Sequence, residues 1–281
     1  MRDPGSRRRR RDRLRRAGGY AAAAALTAVM LAPFLWMACT SLMDEFEVFE
    51  YPPPLLPADP RWRNYPESLT ALPFGRFFLN SAVLAFWTVL GQVATGATAG
   101  YAFARYRFAG RGPLFVLYLG TLMVPGIVLL IPRVLLVDAL GGVDTVAGLV
   151  STELVAVWGV FLMRQFFLTL PRDTEDAARI DGAGEWAVFW RIALPLARPA
   201  LATLALFSFV DAWKNFLWPL IVTRSLERRV VEVGIASYHG FFYANWPYQM
   251  AAAVTALVPV LLVFALAQRY FVRGIQLTGL R

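Results

Sequence analysis

The chain has 281 residues, 58% of them hydrophobic and only 17% charged, with a formal net charge of +9. A soluble chain of this length carries about a quarter charged residues, so an ordinary soluble domain is excluded. One cysteine, Cys39, and one histidine, His239, exclude a disulfide framework and leave no basis for a His/Cys metal site.

The apolar residues gather in runs of membrane-spanning length divided by short charged stretches, the pattern of an all-α, polytopic membrane protein. The cations are arginines apart from Lys214. They form no stripe interleaved with exposed aromatics, so nucleic acid is not expected as a partner.

In chain order, residues 1–18 form an arginine-rich tail, and "MRDPGSRRRRRDRLRR" holds nine arginines. Residues 19–281 form the membrane domain. Spans are predicted at about 19–42, 77–101, 113–137, 146–168, 199–222 and 250–272. Each is long enough to cross a ~30 Å hydrocarbon core at ~1.5 Å per residue. The first span starts like a secretion signal. Its apolar run exceeds the ~7–15 residues of a signal core, and Trp36 and Met37 suit cleavage poorly, so it is expected to remain an anchor.

The acidic, proline-rich segment 43–62 is expected to be an ordered but irregular outer loop. Gly96 and Gly100 give the second span a GxxxG pattern, read as close helix packing. Pro33, Pro125, Pro132, Pro219 and Pro259 lie within or near span ends, where neighbouring helices can satisfy the freed carbonyls. Trp87, Trp158 and Trp218 read as anchors at the membrane interface.

Between the fourth and fifth spans lies a charged, glycine-broken loop, 172–194. Pro171 closes the span before it. Asp173 or Thr174 is expected to cap a short helix, with Asp176 completing a capping-box-like arrangement. Ala177, Ala178 and Ile180 supply a small flat apolar surface among Glu175, Asp176, Arg179 and Asp181. Gly182 and Gly184 then end the helix and allow a sharp turn. In the following "EWAVFWRI", Trp186, Phe189 and Trp190 suit a helix lying on lipid. Alanines beside charges give lipid little to bury, so the first half reads as a docking element for another protein.

The fifth span carries Asp211 and Lys214, three apart on one face and able to pair. Ionisable residues inside a membrane mark functional sites, and Trp213 and Asn215 could stack on and hydrogen-bond a sugar. The competing reading is a neutralised pair packed against a sister subunit. In the outer loops, Glu45, Trp62, Tyr243 and Trp246 could touch a binding protein, though their spacing is not specific.

Orientation follows from the arginines. With the N-terminus inside, the cytosolic segments hold nine, three, five and three arginines, twenty in all, against six outside. That bias puts both termini in the cytosol. The chain has no GxxxxGK[ST] phosphate loop and no nucleophile–base pair, so it is not expected to be an enzyme.

"EDAARIDGAGEWAVFWRIALPLARPALATLALF" resembles the EAA loop of the inner-membrane permease subunits of binding-protein-dependent ABC importers, most closely the maltose-type carbohydrate subfamily. "GYAFARYRFAGRG", "FLMRQFFLTLPRD", "NFLWPLIV" and "LAQRYFVRGIQLTG" resemble that subfamily in the same order, so the resemblance covers all but the tail. Ala177, Ala178, Asp181, Gly182, Ala183, Ile192, Leu194 and Pro195 fall where its loop pattern expects them.

The resemblance implies a type I importer permease fold with six transmembrane helices and a cytosolic coupling helix. Glu175 and Asp176 join those loop residues as the ATPase-coupling set. The chain would bind no cofactor, ATP and Mg being used by a separate ATPase. Its partners would be a second homologous permease, an ATPase dimer and an extracytoplasmic solute-binding protein, all at the cell membrane and in contact with the lipid bilayer.

The cargo implied is a sugar or oligosaccharide, with glycerol-phosphate, a polyol or another solute as the alternative. A stand-alone ion-coupled carrier and a structural scaffold are the rivals of other classes. The sequence departs from the family pattern twice. The usual glutamate of the EAA motif is Asp176, and Trp213-Lys214-Asn215 stands where Trp-Asn-acid is common.

Overall fold

The computed structural model describes residues 4–240 and 244–278, with side chains from 16 to 268. Apart from one antiparallel bridge between His239 and Ala244, its regular structure is helical. In chain order the helices are α1 (Pro4–Thr40), α2 (Asn64–Ala71), α3 (Phe74–Arg105), α4 (Arg111–Gly120), α5 (Leu130–Ala139), α6 (Val146–Ser151) and α7 (Val157–Thr169). Then come α8 (Asp173–Ile180), α9 (Glu185–Val188), α10 (Leu194–Leu196), α11 (Arg198–Trp213), α12 (Leu217–Val222), α13 (Val231–Ala236) and α14 (Trp246–Thr278).

Two compact units divide the chain: residues 1–68 with 238–255, and 69–237 with 256–281. In the first unit, α1 runs unbroken through the arginine-rich stretch. The acidic loop after it is ordered, as expected. Glu47 is buried and accepts hydrogen bonds from the Asp44 N–H (3.1 Å) and the Ala58 N–H (2.7 Å). Asn64 donates to the carbonyls of Ser41 and Met43, both at 2.9 Å. Tyr248 donates to Glu67 at 2.7 Å. Tyr243 lies outside the described residues.

The second unit is organised by α3. Its small-residue face receives α7 and α11. A Cβ built on Gly100 would lie 2.7 Å from Met163 Cβ and 2.9 Å from Arg164 N, and one on Gly96 would lie 2.8 Å from Leu204 Cδ2. At Gly100 only glycine permits this approach, which is the packing role expected of the GxxxG pattern. Tyr101, Met163, Phe167, Phe189 and Leu204 form a core at one end. Leu84, Leu149, Trp213, Trp218 and Val230 belong to a second core.

The predicted spans at 19–42, 77–101 and 250–272 coincide with long apolar stretches of α1, α3 and α14. The other three are not continuous helices. In the span predicted at 113–137, α4 ends at Gly120 and a 3-10 turn follows. Val124 is extended ahead of Pro125, as the clash with a following proline ring demands. The span at 146–168 breaks over residues 152–156, and that at 199–222 breaks between Trp213 and Leu217.

Irregular backbone within a membrane is tolerated only where protein satisfies it. At the 152–156 break the Glu153 carbonyl accepts from Gln92 Nε2 at 2.9 Å, and the Leu154 carbonyl from Thr95 at 3.4 Å, both from α3. Arg133 of α5 pairs with the Glu153 carboxylate and stands 4.4 Å over the Trp218 ring. Trp218 is buried and donates to the Leu149 carbonyl at 3.0 Å, so it is a core residue and not an interface anchor.

Candidate functional site

The charged loop folds as expected into a short helix, but it is held by a residue from the far end of another element. Helix α8 starts at Asp173 with Arg172 in the capping position and no side-chain cap. The expected Asp173/Thr174 cap is therefore absent. The first turn is fixed instead from inside. Glu175 points into the bundle, and Arg105, in the last turn of α3, reaches it through Nη2 (2.8 Å) and Nε (2.9 Å). The two side chains are 4% and 2% exposed, so this is a buried ion pair. Tyr101 donates to the other Glu175 oxygen at 3.3 Å, and Arg105 also donates to the Leu170 carbonyl at 3.1 Å. One arginine thus ties α3, the end of α7 and α8 together.

The C-terminal end of α8 is closed by backbone geometry. The Ala183 N–H donates to the Ala178 carbonyl (2.9 Å) and the Gly182 N–H to the Arg179 carbonyl (3.1 Å). This is the Schellman pattern, with Gly182 at φ +87° in the position that favours glycine. Across the turn, Arg179 donates to Glu185 through Nε (2.8 Å) and Nη2 (3.2 Å), and to Asp176 at 2.8 Å. The hydrogen bond from Arg179 holds the Glu185 carboxyl below its usual range. Burial first, and Glu185 second, push the Tyr106 hydroxyl up. These groups link α8, α9 and the end of α3 into one stiff projection.

The ten residues expected to couple divide by exposure. Asp176, Ala177, Asp181 and Gly182 are exposed, while Ala178, Ala183, Ile192, Leu194 and Pro195 are half-buried. Glu175 is buried, so it braces the helix from below and offers a partner nothing. Ile180 is 86% exposed and forms the apolar tip of the projection. Behind it, a π-helical segment, Phe189–Ala193, and α10 lead into α11 through a 76° bend. Phe189 is buried in the core, whereas Trp186 and Trp190 are exposed.

Sequence reasoning missed Arg105 and Tyr101 as parts of this assembly. In sequence Arg105 counts only towards the positive-inside bias. The signal was present, since an arginine in the last turn of an apolar helix needs an acceptor.

In the fifth span, Asp211 and Lys214 do not pair: no ion pair joins them. Both are exposed, and Asn215 is half-buried beside them. Trp213 is buried, stacks on Phe209 (5.5 Å between ring centres) and donates to the Ala256 carbonyl at 3.1 Å. It belongs to the core and faces away from Asp211, so the expected stacking on a sugar is corrected. On α13, burial raises the Glu232 carboxyl and the nearby Lys214 partly offsets that rise. Among the described residues no group of side chains could hold a metal ion.

Comparison with known proteins gives the family from sequence and a shared fold from structure. Residues 92–277 match the model of the family described as binding-protein-dependent transport system inner membrane component. The chain is 36% identical over 241 residues to the sn-glycerol-3-phosphate transport system permease protein UgpE of Yersinia pestis bv. Antiqua (strain Antiqua), covering 83% of this chain and 86% of that one. It is 36% identical over 206 residues to the arabinooligosaccharides transport system permease protein AraQ of Bacillus subtilis (strain 168), covering 73% of each. Its fold is shared with a chain of a bacterial ABC transporter that imports the acidic polysaccharide alginate, at a TM-score of 0.80 and 23% identity, over 93% of this chain and 98% of that one. The chain therefore belongs to the family of inner membrane components of binding-protein-dependent transport systems.

Proposed function

We propose that this chain is a permease subunit of an ATP-driven importer and forms half of the translocation path for a sugar or oligosaccharide. An extracytoplasmic binding protein delivers the solute. A second, homologous permease supplies the other half of the path, and a separate dimeric ATPase burns ATP and Mg beneath the membrane. The chain itself hydrolyses nothing. Residues 1–18 form a cytosolic tail and 19–281 the permease domain, which crosses the membrane six times with both termini in the cytosol. Three of the crossings are broken helices.

The observation that carries this reading is the α8 projection. Asp176, Ala177, Ile180, Asp181 and Gly182 are exposed, on a helix clamped to the bundle by the buried Arg105–Glu175 pair. A lever needs such stiffness, because a nucleotide bound elsewhere biases the bundle only through contacts that differ between its two states. Glycerol-phosphate stays as a second reading because of the 36% identity to a glycerol-phosphate permease. Family membership speaks to machinery more than to cargo.

The test is co-purification. An ATPase should come down with the wild-type chain from solubilised membranes and be lost on combining Asp176→Ala with Gly182→Trp at equal expression. An ATPase retained by the double variant would refute the docking role.

A further inference from the structure

Helix α11 has two unlike faces. Ala202, Ala205, Leu206, Phe209 and Trp213 border an apolar groove of about 1060 Å³ shared with α3 and α14. Turned away from them are Thr203, Phe207 and Asp211, spaced four apart, followed by Lys214 and Asn215. From Thr203 to Asn215 this stripe is roughly 18 Å long at the rise of a helix.

Thr203, Phe207 and Asp211 line a cavity of about 520 Å³ against Trp158 and Leu162 of α7. Phe207, Asp211, Lys214, Asn215 and Phe216 line a second of about 440 Å³. Phe207 and Asp211 border both, so the two cavities continue into one trough with Asp211 at its middle.

A carboxylate on a membrane span faces the bundle interior or a water-filled cavity. Here it alternates with aromatic rings, with a hydroxyl at one end and an amide at the other. Rings that stack on sugar faces and acceptors that take sugar hydroxyls suit a polyhydroxylated solute moving along the trough.

We propose that this stripe is the wall of the aqueous solute path contributed by this chain, and that Asp211 makes the path favour uncharged polyhydroxylated solutes over anionic ones. The inference rests on the permease reading and adds the charge class of the cargo. Asp211 lines both cavities. Lys214 borders only the second cavity; the first, from Thr203 to Asp211, is lined by no cation, so there nothing offsets the barrier that Asp211 sets to a phosphate ester.

The chain's one cysteine makes the test direct. In a Cys39→Ser background, the full chain is expressed with its partner subunits and carries Thr203→Cys, Phe207→Cys or, on the opposite face, Ala205→Cys. Membrane vesicles are treated with a cationic trimethylammonium methanethiosulfonate and with its anionic sulfonate counterpart. Both reagents should modify positions 203 and 207 and spare 205. At 207 the cation's rate advantage should exceed its advantage on a free thiol by roughly tenfold, the ratio expected for unit charges ~6 Å from a carboxylate in water. Adding Asp211→Asn should bring the advantage towards that of the free thiol.

Protection of both 203 and 207 would overturn the proposal, because the face would then be sealed by a subunit or lipid. A ratio indifferent to Asp211→Asn would overturn it too. The permease reading itself is judged separately, by the ATPase that co-purifies, so the two failures are distinguishable.

Discussion

Arg105 is one guanidinium serving three elements, and its geometry determines what its loss should do. Removing one partner of a buried ion pair costs about 3–5 kcal/mol, and without Arg105 the Glu175 carboxylate would keep, as a cationic partner, only the longer contact to Arg179, at 3.7 Å. Helix α8 has only eight residues, and so short a helix is not stable by itself. Arg105→Ala should therefore release α8 while leaving the chain inserted. Protease added to the cytosolic side should cut within 172–184 several times faster, and ATP-driven uptake should fall by more than about tenfold. Arg105→Lys keeps the charge but not the fork, and should fall between the two. Protease resistance unchanged in Arg105→Ala would show that α8 is held by something else.

The Arg179–Glu185 link is a different case, because both side chains are partly exposed. Glu185 has a depressed pKa, so its contribution is fully present above the usual glutamate value of about 4.3 and is lost as pH falls through the lowered one. Protease resistance of the loop should be flat from neutral pH to about 5 and decline only in stronger acid. Loss of protection between pH 7 and 6 would contradict the assignment.

The helices differ in how they tolerate change. At Gly182 an added Cβ would meet nothing within 4 Å, yet φ is +87°. The penalty of Gly182→Ala is thus conformational, about 1–2 kcal/mol, and uptake should fall only partly. Gly182→Trp adds bulk where the proposed ATPase would dock and should abolish uptake at normal membrane yield. Gly100 is the reverse, since its Cβ position is already occupied by Met163 and Arg164. Gly100→Leu should separate α3 from α7 and lower the aggregation temperature of the solubilised chain. Gly75→Leu, in open space, should not. Equal thermal behaviour of the two would remove α3–α7 packing as the organiser of this unit.

Across the whole chain, what was legible depended on whether the information was local. The apolar runs, the GxxxG packing face, the short α8 and its glycine stop are written within a few residues each, and the structure follows them. The interruptions at 124–129, 152–156 and 214–216 were not legible. The groups that satisfy the freed backbone, such as Gln92 and Thr95 at the 152–156 break, lie on another helix. The burial of Glu175 was hidden for the same reason, since its partner is 70 positions away in sequence. Trp213 read as a ligand because aromatic chemistry is local, whereas which face of α11 it occupies depends on the fold.

The proposed function requires that the chain move solute only when an ATPase acts on its α8 projection. The most direct measurement is solute accumulation in reconstituted vesicles, comparing this chain alone with the chain assembled with its second permease, ATPase and loaded binding protein. Accumulation should require the full assembly and ATP, and should disappear with Gly182→Trp. Accumulation by the chain alone, without ATP, would contradict it.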